Sequence, residues 1–220
     1  AIGLVTLAER EGSKYLERPL HIGRISAALT PGLFSLEDVV IEGKNPGDRP
    51  FMAIDRIDIE VPWWTLFRRE LHVRLTLDDW QMVVESWPNG VHNIPKLTPR
   101  GGGGGPRPFT VTVDWAHARR GAFTYEDHGT PWRVAAPNLE FSLVRVRALG
   151  EYRGLAGFSG GEVGIQSYRP MATSMTTRFV LDGSKVRLEH IDLVTEGSRS
   201  HVNGDVDFRR WPNQTYHVNS

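Results

Sequence analysis

The sequence predicts an all-β fold: a curved antiparallel meander, forming a groove or a partly closed barrel or sandwich, with a short N-terminal helix and one short internal helix. Three observations carry this reading. Apolar residues recur with period two along many short segments, and turn-forming residues separate those segments at short intervals. No stretch alternates strand and helix in the βαβ manner.

Residues 1–8 (AIGLVTLA) carry no charged side chain, and Glu9, Arg10, Glu11, Lys14 and Glu17 follow. A membrane-spanning helix takes roughly 20 apolar residues. Two readings of residues 1–17 therefore stand: the water-side exit of a membrane anchor, or an amphipathic helix capping a soluble domain. Residues 18–98 read as the first part of a sheet. Within it, Ile57, Ile59 and Val61 alternate with Arg56, Asp58 and Glu60, and Leu71, Val73, Leu75 and Leu77 with His72, Arg74 and Thr76. Successive side chains of a strand point to opposite faces, so each segment has one apolar and one wetted face.

Three segments change phase partway. Leu20 and Ile22 give way to Ile25 and Ala27, Phe34 and Leu36 to Val39 and Ile41, and Val186 and Leu188 to Ile191 and Leu193. A one-residue slip of this kind is the sequence mark of a β-bulge, which bends a sheet. Turns are expected at Thr30-Pro31-Gly32, Asn45-Pro46-Gly47, Pro88-Asn89-Gly90, Asp182-Gly183 and Pro212-Asn213. The internal helix is placed at residues 62–69, opened by Pro62. A Pro/Gly-rich loop spans 99–108, and 109–220 continues the sheet, with Phe109, Val111 and Val113 in alternation and a final segment that reads as a strand cut short.

Chemistry is sparse by comparison. The 26 Lys and Arg balance 26 Asp and Glu, so the basic surplus expected of a nucleic-acid binder is missing. The absence of cysteine excludes disulfides, thiolate zinc sites, a Cys nucleophile and Fe–S clusters. Gly157-Phe158-Ser159-Gly160-Gly161 fits the G-x-S-x-G pattern, but a strand-like segment follows where a nucleophile elbow needs a helix. The eight histidines are scattered, with no helical pair and no HExxH, and His72 and His190 read as solvated or hydrogen-bonded strand residues. Asp78 and Asp79 face opposite sides of a strand, and Asp205 and Asp207 read as a solvated face. The chain thus reads as non-catalytic, with no cofactor, no metal and no nucleic-acid partner.

Several phrases resemble the AsmA-like proteins, including TamB and its relatives, in their N-terminal, membrane-proximal part. These are LFSLEDVVIEG (33–43), FMAIDRIDIEVPWWTLFRRELHVRLTLDDWQMVVE (51–85), WPNGVHNI (87–94), VDWAHARRGAFTYEDHG (113–129) and GSRSHVNGDVDFRRWP (197–212). The resemblance implies a bacterial inner-membrane anchor and a β-rich apolar groove on the periplasmic face. It further implies handling of phospholipid during envelope and membrane assembly.

On that reading the candidate lipid-contacting residues are Ile57, Ile59, Val61, Leu71, Val73, Leu75, Leu77, Phe109, Val111 and Val113, which should share one face. Trp63, Trp64, Phe67, Arg68 and Arg69 combine aromatic and basic side chains, as a membrane-interface segment does. The other reading of these five is a helix plugging the open end of the sheet. The functional alternative is a structural accessory subunit that docks on an integral membrane protein complex and stabilises it.

Overall fold

The computed structural model describes residues 2–28, 32–62, 65, 70–95, 110–183, 185–207 and 217–219. Among the described residues one α-helix, α1 (Ile2–Leu16), precedes twelve strands: β1 (Leu20–Ala28), β2 (Leu33–Ile41), β3 (Met52–Glu60), β4 (Glu70–Trp87), β5 (Val91–His92), β6 (Thr110–Asp127), β7 (Trp132–Val146), β8 (Glu151–Ile165), β9 (Met171–Asp182), β10 (Lys185–Thr195), β11 (Ser198–Asp207) and β12 (His217–Asn219). They form one sheet in the order β1-β2-β3-β4-β6-β7-β8-β9-β10-β11-β12, with β5 paired on β4. The all-β meander and the N-terminal helix are as the sequence predicts. Of the internal helix at 62–69, only Pro62 and Thr65 lie within the described residues. No described helix is long and apolar enough to cross a membrane.

One neighbouring pair departs from antiparallel. Near the start of both strands His72 of β4 meets Asp114 of β6, and near their ends Ser86 meets Tyr125. Start beside start and end beside end mean that β4 and β6 run parallel. Parallel neighbours cannot be joined by a tight hairpin. The long connection between Trp87 and Thr110 meets that need.

Two compact units divide the chain: Ala1–Val83 with Asn93–Ala116, and Val84–His92 with His117–Ser220. In the first, Ile22, Val39, Ile54 and Trp80 are consecutive cross-strand partners over β1 to β4, each no more than 5% exposed. Beside this row the ladder breaks at Gly23, Asp38, Asp55 and Asp79, with Asp38 (φ 54°) and Asp79 (φ 51°) in the left-handed region. Asp tolerates that conformation better than most residues.

The register is the same on both sides of the break: Leu20 faces Ile41 and Ala28 faces Leu33 without a slip. The phase switches of β1 and β2, expected as one-residue bulges, are therefore a crease shared by neighbouring strands. Each strand resets its alternation at the same level, so no residue is left over. The switch in β10 is a true bulge, with register shifts after Leu188 against both β9 and β11.

Helix α1 lies against β1. Ser13 Oγ accepts the Leu20 N–H at 2.8 Å, and Glu9 Oε1 accepts that of Ile22 at 2.8 Å. Just beyond the helix, Arg18 is buried with its guanidinium 5.9 Å from the Phe51 ring centre. Burial lowers its pKa from the ordinary arginine value, and the charge of Asp48 offsets part of that.

The turns predicted at 45–47 and 182–183 form as their residues dictate. Asp48 N–H bonds Asn45 C=O across Pro46-Gly47, with Gly47 at φ 89°, and Gly183 takes φ 56° between β9 and β10.

In the second unit, Asp127 closes the β6–β7 hairpin. Its carboxylate accepts the N–H groups of Gly129 (2.8 Å) and Thr130 (3.1 Å) and the Trp132 indole (3.2 Å). Burial pushes this carboxyl upward, but those donors prevail and hold its pKa below the ordinary aspartate value. A depressed folded pKa contributes stability above the unfolded value, near 3.8, and loses it as the pH falls through the folded value. Asp127→Asn cannot accept all three bonds and is expected to cost about 1 kcal/mol at neutral pH. In urea melts the gap between variant and parent should persist at pH 5–7 and shrink on acidification below about pH 4. A gap independent of pH would show that the charge plays no part.

Candidate functional site

Two surfaces stand out, one in each unit. In the first unit Ile57 faces Leu77 and Ile59 faces Leu75 in direct register, and Leu36 and Phe34 continue the rows onto β2. Leu71 and Val73 share this phase of β4. Of these, Val73 is buried, while Ile57, Ile59, Leu71, Leu75 and Leu77 stay partly exposed, as do Val61 and Val113; Val111 is 61% exposed. All the described strands belong to one sheet. The alternate positions are polar: Asp58 accepts from Ser35 and Arg56, and His72 Nδ1 lies 3.0 Å from Asp114 Oδ1. Phe109 lies outside the described residues. So do Trp63, Trp64, Phe67, Arg68 and Arg69.

In the second unit a groove of about 1160 Å³ crosses β7 to β10, with Gly157 in its lining and Glu140, Arg178, Glu189, His190 and Asp192 around it. Cross-strand pairing explains the grouping. Glu140 faces Gly157, Gly157 faces Thr176 and Thr176 faces Asp192, so these positions share one face. Asp192 in turn faces His201 on β11. Its carboxylate bridges two imidazoles, with Oδ2 at 3.0 Å from His190 Nε2 and Oδ1 at 2.5 Å from His201 Nδ1. The two rings stack with centroids 5.5 Å apart.

The sequence reads His190 as a solvated or hydrogen-bonded strand histidine and does not single out His201. The signal was present: folding the chain about Glu196-Gly197 brings 192 opposite 201, and His190 lies two residues from Asp192 on the same face. A second carboxylate–histidine group joins Glu85, Glu126 and His128, with His128 Nε2 at 3.1 Å from Glu85 Oε1 and its ring stacked on Trp87.

Ser159 lies inside β8, between the register points Phe158 and Gly161 where the pairing with β9 shifts. Its surroundings are strand on both sides, without the strand-to-helix turn that a nucleophile elbow uses. The glycines of the G-x-S-x-G phrase answer to packing. A Cβ at Gly161 would fall 2.7 Å from the Ala135 carbonyl oxygen. Neither a protein-family model nor a curated protein matches the chain.

Proposed function

We propose that the chain is a non-catalytic envelope protein whose apolar sheet face handles the acyl chains of phospholipid at the periplasmic face of a bacterial inner membrane. The observation that carries this reading is the in-register apolar face of β2, β3 and β4, partly exposed at Ile57, Ile59, Leu75 and Leu77. Apolar area left in water costs about 25 cal/mol per Å², so such a face favours an apolar occupant. Hydrocarbon meets the requirement without needing hydrogen-bond donors or acceptors from the face. The resemblance of residues 33–43 and 51–85 to AsmA-like proteins supports the same reading.

A photo-crosslinking side chain at position 77, introduced into the protein in intact cells, tests it. Phospholipid should be captured, and Leu75→Asp should reduce capture at least about tenfold, because a buried charge in an acyl-chain site is costly, while the strand-dominated circular dichroism is retained. Capture of a defined membrane protein with no lipid would replace the proposal by the accessory-subunit reading. Loss of folding in Leu75→Asp together with no lipid capture by the parent protein would make the face ordinary core.

A further inference from the structure

We propose that His190, Asp192 and His201 form a binding site for a divalent transition-metal ion of the zinc type. The site is independent of the acyl-chain reading and lies in the other unit. Two imidazoles and one carboxylate are a donor set that Zn²⁺ accepts, with a further position left for water or a ligand.

The scaffold is a hairpin, which supplies the three groups from two adjacent strands. His190 and Asp192 alternate onto one face of β10, and the register sets His201 of β11 opposite Asp192. The bulge after Leu188 lies immediately beside them, and both Glu189 and His190 line the groove there. Bulges re-aim side chains in this way.

The distances suit an ion. One ligand atom from each of the three residues lies within 4.8 Å of the other two. Zn–N and Zn–O bonds of about 2.0–2.1 Å in a tetrahedral site set donors about 3.3 Å apart. The His190–Asp192 separation of 3.0 Å is close to that, and the 2.5 Å contact to His201 must open by under about 1 Å. Both histidines are more than half exposed, so their rings are free to make that adjustment and an ion has access from water.

The surrounding charge is mixed. Arg178 faces His190 across β9 and lines the groove, while Glu140 and Glu189 line it as well. Arg187 is 3.8 Å from Glu189. The Glu85–Glu126–His128 group is the weaker competitor, because it offers one imidazole and Arg133 already stands 3.6 Å from Glu126.

The test uses the tag-free full chain, stripped with chelator and titrated with Zn²⁺ by calorimetry, and with Co²⁺ by visible absorption. One ion should bind saturably at this hairpin. Replacing an outer-shell partner of a metal typically weakens binding 10–100-fold, so His201→Ala and Asp192→Asn, which alter ligands, should each weaken it at least about tenfold. The same variants should lose the Co²⁺ absorption, and His128→Ala should leave both readouts unchanged. Conservative His190→Asn and His201→Asn variants serve if an alanine variant loses its strand spectrum. Absence of saturable binding, an affinity in the His190 or His201 variants unchanged from that of the parent, or loss on His128→Ala instead would overturn the proposal.

Discussion

Trp80→Ala is expected to destabilise the first unit by about 3–5 kcal/mol, the range for deleting a large buried aromatic side chain. Trp80 ends the buried row that runs through Ile22, Val39 and Ile54, so its removal opens a cavity against strands that register holds in place. A domain's total stability is about 5–15 kcal/mol, and the variant should be largely unfolded at modest urea concentration. Trp80→Phe should behave differently. Among the described residues the buried indole Nε1 has no hydrogen-bond partner, a liability of about 1–3 kcal/mol that phenylalanine removes. The net cost of Trp80→Phe should therefore stay below about 2 kcal/mol despite the lost volume. Near-equal costs for the two variants in urea unfolding would show that the indole nitrogen is in fact satisfied and that ring area alone decides.

Gly32→Ala should be nearly as damaging, for a different reason. Gly32 takes φ 82°, and a Cβ there would stand 2.2 Å from the Val61 carbonyl oxygen, a backbone atom with little room to retreat. The same two residues are joined by the Val61 N–H to Gly32 C=O bond at 2.8 Å. The left-handed conformation costs an L-residue about 1 kcal/mol, and forcing the backbones apart adds about 1–3 kcal/mol. Gly47 is the internal control, since it has φ 89° and open space around its Cβ position. Gly47→Ala should cost only the conformational part, about 1 kcal/mol. Equal losses in melting experiments on the two variants would mean that Val61 yields freely.

The period-two pattern is a local property, which is why the strands were readable. Ile57, Ile59, Leu75 and Leu77 announce their shared phase without knowledge of pairing, and Pro46-Gly47 announces its turn. What alternation does not carry is the relation between strands. A phase change looks the same in one strand whether a residue bulges out or its neighbour creases at the same level. Only the constant register across Gly23, Asp38, Asp55 and Asp79 separates the two. The parallel step from β4 to β6 was hidden for the same reason, because the contacts that reveal it join residues about 40 positions apart. The histidine group sits between these extremes: His190 and Asp192 are close in sequence, and one hairpin fold about Gly197 brings in His201.

The two bonds from Ser13 and Glu9 to the backbone of β1 have a consequence for assembly. In the strand order β1 is terminal, and a terminal strand normally offers its outward amides as a template on which another chain adds. Here the Leu20 and Ile22 amides are already occupied by side chains of the preceding helix. Growth of the ribbon in that direction must first evict α1, giving up about 2–4 kcal/mol of hydrogen bonding. The helix therefore stops β-linked concatenation over the first part of this edge strand, and Glu9→Ala with Ser13→Ala should free those two amides.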